Sequence, residues 1–253
     1  MIKADVQKIL AAKRKSLAIR QQKTPIAAIN ALAQMQQPPR PLLSQVSTPD
    51  DLIILGQVTL KEIYDPIAAA LRYIRSGIDG ITFFTDHTIY SKSLDDLLLL
   101  SRAAHQHGVL YQNYILDSYN VAEVRAAGAS SMIVYASILS RSALRNIVST
   151  AQRWRMSVII QVNTVDEIQY AMQLAPHVIS IGMDYLFDAE RDLKRIEILR
   201  DYVPYNVRMM ATGCVGTLKD AQILTELGVD AIIVDERLAR TPQQIEELRQ
   251  LKG

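Results

Sequence analysis

VLYQNYILDSYNVAEVRAAGASSMIVY, residues 109–135, holds two short apolar runs on either side of an amphipathic stretch. The runs VLYQ (109–112) and SMIVY (131–135) are apolar almost without interruption, the pattern of strands buried on both faces. Between them, SYNVAEVRAAG has the spacing of a helix and stops at Gly128, a residue suited to the left-handed turn that ends a helix. A parallel return requires a crossover of this length, so the segment predicts one strand–helix–strand unit of a parallel sheet.

The unit recurs on both sides. Upstream, LIIL (52–55) precedes DPIAAALRYIRSG, and GITFF (80–84) precedes LDDLLLLSRAAHQHG. Downstream, SVIIQV (157–162), VISIGM (178–183), VRMMAT (207–212) and AIIVD (231–235) are each followed by a helical pattern. Glycines at 77, 108, 128 and 228 fall where helices should stop. Eight strand–helix units predict an α/β fold, a closed (β/α)8 TIM barrel, over residues 49–253.

Residues 1–48 read as an N-terminal helical extension and linker. ADVQKILAAKRKSLAIR (4–20) has helical spacing and a basic surface, and PIAAINALAQMQ opens on Pro25, a residue tolerated at a helix start. The proline-rich QPPRPLLSQVSTPDD that follows must be extended or looping. The 253 residues carry 28 basic and 26 acidic side chains, a net charge of +2, so bulk electrostatics imply no nucleic-acid partner. A single cysteine, Cys214, excludes an internal disulfide. No apolar run reaches the length of a membrane span, and a cytoplasmic protein is the expectation.

In such a barrel the chemistry belongs at the C-terminal ends of the strands. Here those ends offer amides, hydroxyls and small groups: Gly56-Gln57, Gln112-Asn113, Gln161 with Asn163, Thr212-Gly213. Amides orient a ligand by hydrogen bonding but do not exchange protons usefully near neutral pH. Asp86-His87 after the second strand is the one place where histidine meets a carboxylate, and an exposed loop pair capping the following segment is the plainer reading. Asp235-Glu236-Arg237 closes the eighth strand, where two carboxylates would repel a phosphate and a local Asp–Arg pair is the plainer reading. No metal site and no cofactor are expected.

The order of these pieces resembles indole-3-glycerol-phosphate synthase, the barrel lyase of tryptophan biosynthesis. The likeness runs through VQKILAAKRKSLAIRQQKTPI, YDPIAAALRYIRSGIDGITFFTDHTIYSKSLDDL, QNYILDSYNVAEVRAAGASSMIVYASIL, VNTVDEIQYAMQLAPHVISIGMDYL and GTLKDAQILTELGVDAIIVDERLAR. It implies a cofactor-free ring closure and decarboxylation of 1-(2-carboxyphenylamino)-1-deoxyribulose 5-phosphate. It also implies where the family's groups would stand. The strand-one glutamate and lysine are matched by Gly56 and Val58, the general-acid lysine of strand three by Gln112, and its neighbouring aspartate by Asn113. The strand-five glutamate is matched by Gln161, the strand-six asparagine by Gly182 (or Met183 in a slipped register), and the strand-seven glutamate-serine pair by Thr212-Gly213. The glycine-serine phosphate turn is matched by Asp235-Glu236, and Lys61, in a shortened first loop, is the arguable stand-in for the loop lysine.

Removing one general acid or base typically costs about 10²–10⁴-fold, and positioning through a phosphate anchor can supply roughly 7–11 kcal/mol of a barrier. The expectation is therefore a synthase-like barrel that has lost catalysis and binds a small-molecule ligand or a protein partner. The alternatives are a working synthase using Lys61 or His87 as acid, or another lyase on the same scaffold. Oligomeric state is not readable.

Overall fold

The computed structural model describes residues 4–40, 42, 51–58, 65–84, 94–104, 107–182, 193–235, 237–239 and 241–252. Eight parallel strands close into one barrel in sequence order: β1 (Ile53–Val58), β2 (Gly80–Phe84), β3 (Gly108–Gln112), β4 (Ser131–Tyr135), β5 (Ser157–Val162), β6 (Val178–Gly182), β7 (Arg208–Val215) and β8 (Ala231–Val234). Closure is made by β1 against β8, with Ile53 opposite Ala231 and Gly56 opposite Val234. The crossovers are α3 (Pro66–Ser76), α4 (Leu94–Ala103), α5 (Ser118–Ala126), α6 (Arg141–Arg153), α7 (Val165–Met172), α8 (Leu193–Arg200) and α9 (Leu218–Glu226), and α10 (Pro242–Arg249) follows the last strand. Side chains cap many of their first turns: Asp65, Asp117, Ser140, Thr164, Thr217 and Thr241 each accept a backbone N–H. The (β/α)8 expectation holds.

The pleat sorts every strand into an inner and an outer set. Ile53, Leu55, Leu110, Ile133, Tyr135, Ile159, Val178, Met210, Ala231 and Ile233 pack together inside the barrel. Their chain neighbours Leu52, Ile54, Val58, Phe83, Val109, Tyr111, Val134, Ile160, Ile181, Ala211 and Ile232 belong to the shell between sheet and helices.

Two expectations change. Gly77, Gly128 and Gly228 do take positive φ, of 90°, 86° and 76°, at helix ends. Gly108 instead opens β3, where a Cβ would stand 3.1 Å from both the Arg40 carbonyl oxygen and Leu42 Cδ1, so it is a close-approach position rather than a helix stop. β7 runs beyond Thr212 to Val215, because a bulge between Ala211 and Cys214 accommodates Thr212 and Gly213.

The N-terminal extension is helical, as α1 (Ala4–Lys23) and α2 (Ile26–Gln34). It touches both ends of the barrel. Val6 and Leu10 of α1 pack into the cluster that holds Tyr114 and Tyr135, beyond the C-terminal ends of β3 and β4. Lys13 lies 5.8 Å from the centroid of the Tyr114 ring. Arg20 then forks onto the Glu123 carboxylate of α5 at 2.7 and 3.1 Å, and the Tyr119 hydroxyl donates to the Thr24 carbonyl at 2.9 Å. Further on, Arg125 donates to the Gln37 carbonyl oxygen, and Leu42 packs beneath Gly80 and Gly108 at the opposite end. The boundary expected at residue 48 lies outside the described residues.

Gly56 faces outward. A Cβ there would meet the Tyr73 ring of α3 at 2.5–2.9 Å, and that ring is buried, with its hydroxyl donating to the Gln57 carbonyl at 3.0 Å. Gly56→Ala is expected to lower the unfolding free energy by about 1–3 kcal/mol in urea denaturation. An unchanged midpoint would mean that residue 56 does not face α3.

Candidate functional site: the C-terminal mouth of the barrel

The inward set decides which side chains reach the mouth. Its last layer comprises Gln57 on β1, Gln112 on β3, Tyr135 on β4, Gln161 on β5, Gly182 on β6, Thr212 on β7 and, just past β8, Asp235. Gln112, Tyr135, Gln161 and Thr212 are all buried. The Thr212 hydroxyl can donate to Gln161 Oε1 at 3.0 Å or to the Ile181 carbonyl oxygen at 3.4 Å, and the shorter contact ties strands five and seven. Gln112 Oε1 is buried with no hydrogen-bond partner. One layer deeper, Thr82 Oγ1 and Ser180 Oγ are in the same condition. Of the predicted site residues, Gln161 and Thr212 are in direct contact, and Gln112 stands in the same layer on β3.

Other predicted site residues do not join them. Gly56 and Val58, matched to the strand-one glutamate and lysine, lie on the outer face; the inward positions of that strand are Leu55 and Gln57. Asn113 shares the outer parity of Tyr111. Its Nδ2 donates to the Tyr111 hydroxyl at 3.1 Å and its Oδ1 accepts the Tyr114 N–H at 2.7 Å, so it braces the turn rather than facing a ligand. Gly213 sits in the β7 bulge with φ of 126°, a conformation that accounts for the glycine without an anion. Lys61, Asp86, His87, Met183 and Glu236 lie outside the described residues.

Asp235 is fully engaged within its own turn. Oδ1 accepts the Arg237 and Leu238 N–H groups at 2.9 and 3.1 Å, and Oδ2 accepts Arg237 Nε and Nη2 at 2.8 and 2.6 Å. The local Asp–Arg pair is present, and it largely cancels the Asp235 charge that was expected to repel a phosphate. What remains unlike a phosphate cradle is the use of those backbone N–H groups, which are already committed to the carboxylate.

One carboxylate was missed. Glu167, in the first turn of α7, is half-buried beside the end of β5, and its Oε2 accepts the Asn163 N–H at 2.8 Å. Burial raises its pKa above the ordinary 4.5, and the Asn163 hydrogen bond opposes the shift. The signal was the TVDE sequence at 164–167, a capping-box pattern in which Thr164 accepts the Glu167 N–H. Asn163 thus contributes its backbone to Glu167, while its Oδ1 is buried without a partner.

A family model for indole-3-glycerol phosphate synthase matches residues 6–251. The chain belongs to that family. Relatives named indole-3-glycerol phosphate synthase include one from Acetivibrio thermocellus, 28% identical over 77% of this chain and 74% of the relative. One from a Roseiflexus species is 25% identical over 98% of both chains. Among solved structures, 3-hexulose-6-phosphate synthase from Salmonella typhimurium superposes with a TM-score of 0.66 over 79% of this chain and 98% of that one, at 13% identity, a likeness of fold alone. Among the described residues of this synthase-family barrel, no helix is long and apolar enough to cross a membrane, and no group of three His, Cys, Asp or Glu is placed to hold a metal.

A carboxyl whose pKa is higher folded than unfolded binds its proton more tightly when folded, so its contribution is full at low pH and is lost as pH rises through the folded value. Glu167→Gln should accordingly gain stability relative to the unsubstituted protein between about pH 4 and about pH 7 in denaturant titrations. A constant difference across that range would show that Glu167 has no raised pKa.

Proposed function

We propose that this member of the synthase family does not catalyse indole ring closure and instead uses its mouth to bind a small molecule bearing hydrogen-bond donors. The observation that supports this most is the inward layer itself: neutral Gln112, Gln161 and Thr212 stand where the resemblance places the family's lysine and glutamates. The reaction needs a proton delivered to a carbonyl oxygen and others removed during decarboxylation and dehydration. A neutral amide cannot supply them, because it neither gains nor loses a proton near neutral pH. Gln112 Oε1, Thr82 Oγ1 and Ser180 Oγ, buried and unpartnered, are acceptors that a ligand's N–H or O–H groups would satisfy.

A second reading is a working synthase with a rearranged site. It is favoured by the names of the relatives, and it would place the acid on Lys61 or His87.

The experiment is a turnover assay with 1-(2-carboxyphenylamino)-1-deoxyribulose 5-phosphate. Product formation is expected to be at least about 10²-fold below that of an ordinary family member. A full rate abolished by Gln112→Ala would overturn the proposal. A full rate abolished instead by Lys61→Ala or His87→Ala, with folding still cooperative, would establish the second reading.

A further inference from the structure

At the end of the barrel opposite the mouth, a cleft of about 620 Å³ opens beside the first residues of β5, β6 and β7. Its size is that of a small-molecule site. Met156, Val158 and Leu174 supply apolar wall, while Arg155, His177 and Arg208 supply the polar part, and no aspartate or glutamate lines it.

Two independent features mark the cleft as more than a packing gap. Arg208 is the inward residue at the start of β7, and its Nη1 is buried without a hydrogen-bond partner. Neither Arg208 nor Arg155 is ion-paired among the described residues. A buried guanidinium N–H without an acceptor is costly, and because Arg208 is among the residues lining the cleft, an oxyanion held there would engage its guanidinium.

The second feature is backbone strain. Among the described residues, only Arg155 (φ 55°) and Ala175 (φ 48°) are non-glycine residues with positive φ, and both line the cleft. They follow α6 and α7 by two and three residues, as Gly77, Gly128 and Gly228 follow α3, α5 and α9 by one or two. Three helix ends thus use the residue that relaxes the turn, and the two beside the cleft do not. At 155 the chain keeps a guanidinium at the rim in a conformation that glycine would adopt more easily.

We infer that this floor cleft is a binding site for a small molecule with an oxyanion head and an apolar body. The head would sit between Arg155 and Arg208, and the body against Met156, Val158 and Leu174. The site is separate from the mouth and does not depend on whether the mouth retains catalysis. Guanidinium forks donate to carboxylate and phosphate oxygens alike, so the shared requirement is the anion.

The test titrates isotope-labelled full-length protein with 4-phenylbutyrate, phenyl phosphate and the neutral 4-phenylbutanol, following backbone N–H resonances. At least one anionic probe should bind in the millimolar range or tighter, shifting Met156, Leu174 and Val178, and about tenfold more tightly than the alcohol. Arg155→Gly relaxes the turn and should fold at least as well, yet weaken anion binding about fivefold or more. Arg208→Gln should do the same, and if it fails to fold, Arg155→Gly decides. The inference is overturned if neither anion binds up to about 10 mM, if the alcohol binds equally, if binding survives in every folded variant, or if the shifts cluster instead at Gln161 and Thr212.

Discussion

Barrel closure is the constraint on which the rest of this structure depends. Pairing Ile53–Gly56 with Ala231–Val234 leaves no strand edge, and it divides every strand's side chains between a narrow interior and an outer shell. A residue's reach into the mouth is then a matter of parity. Gln57, Gln112, Gln161 and Thr212 have it, whereas Gly56, Val58 and Asn113 do not. The same closure demands small residues where the linker passes beneath the barrel, which is why Leu42 lies against Gly80 and Gly108.

Among the described residues, the inward layer of the mouth built on this frame presents amides and hydroxyls at Gln57, Gln112, Gln161 and Thr212. Some polar atoms there are engaged, Thr212 on Gln161 and Asp235 on Arg237 and Leu238, while Gln112 Oε1 and, a layer deeper, Thr82 Oγ1 and Ser180 Oγ are not. The N-terminal helix adds an apolar flank, with Val6 and Leu10 against Tyr114 and Tyr135, whose ring centroids are 5.4 Å apart. Arg20 holds that helix in place through the buried Glu123 carboxylate, which also accepts from Asn120 Nδ2 at 2.9 Å. Removing either partner would strand a charge, so this pair acts more as a positioning device than as a source of net stability.

Legibility followed the strength of the local signal. Strands and helices were readable because eight apolar runs alternate with amphipathic ones, and the caps at Asp65, Thr164, Thr217 and Thr241 carry their own chemistry. The direction of β1 was not. IILGQV is apolar on both faces for most of its length, so nothing in it distinguishes inward from outward until Tyr73 is seen beside Gly56. The extension of β7 was hidden likewise, since a bulge at Thr212-Gly213 looks in sequence like the strand's end. Glu167 escaped notice because a first-turn glutamate is ordinarily a cap, and only its burial, against the Asn163 hydrogen bond, raises its proton affinity.

By itself the sequence determined the strand order, the helical extension and the family, because these rest on periodicity and on collinear residues that any alignment of the chain preserves. The neutral character of Gln112, Gln161 and Thr212 was legible for the same reason: charge belongs to a residue type. Only the tertiary structure decided which strand-end residues meet, that Asp235 is neutralised within its turn, and that Arg155 and Arg208 converge on one cleft at the barrel floor. Those facts depend on side-chain direction and on contacts between residues distant in the chain, and a strand apolar on both faces carries no record of either.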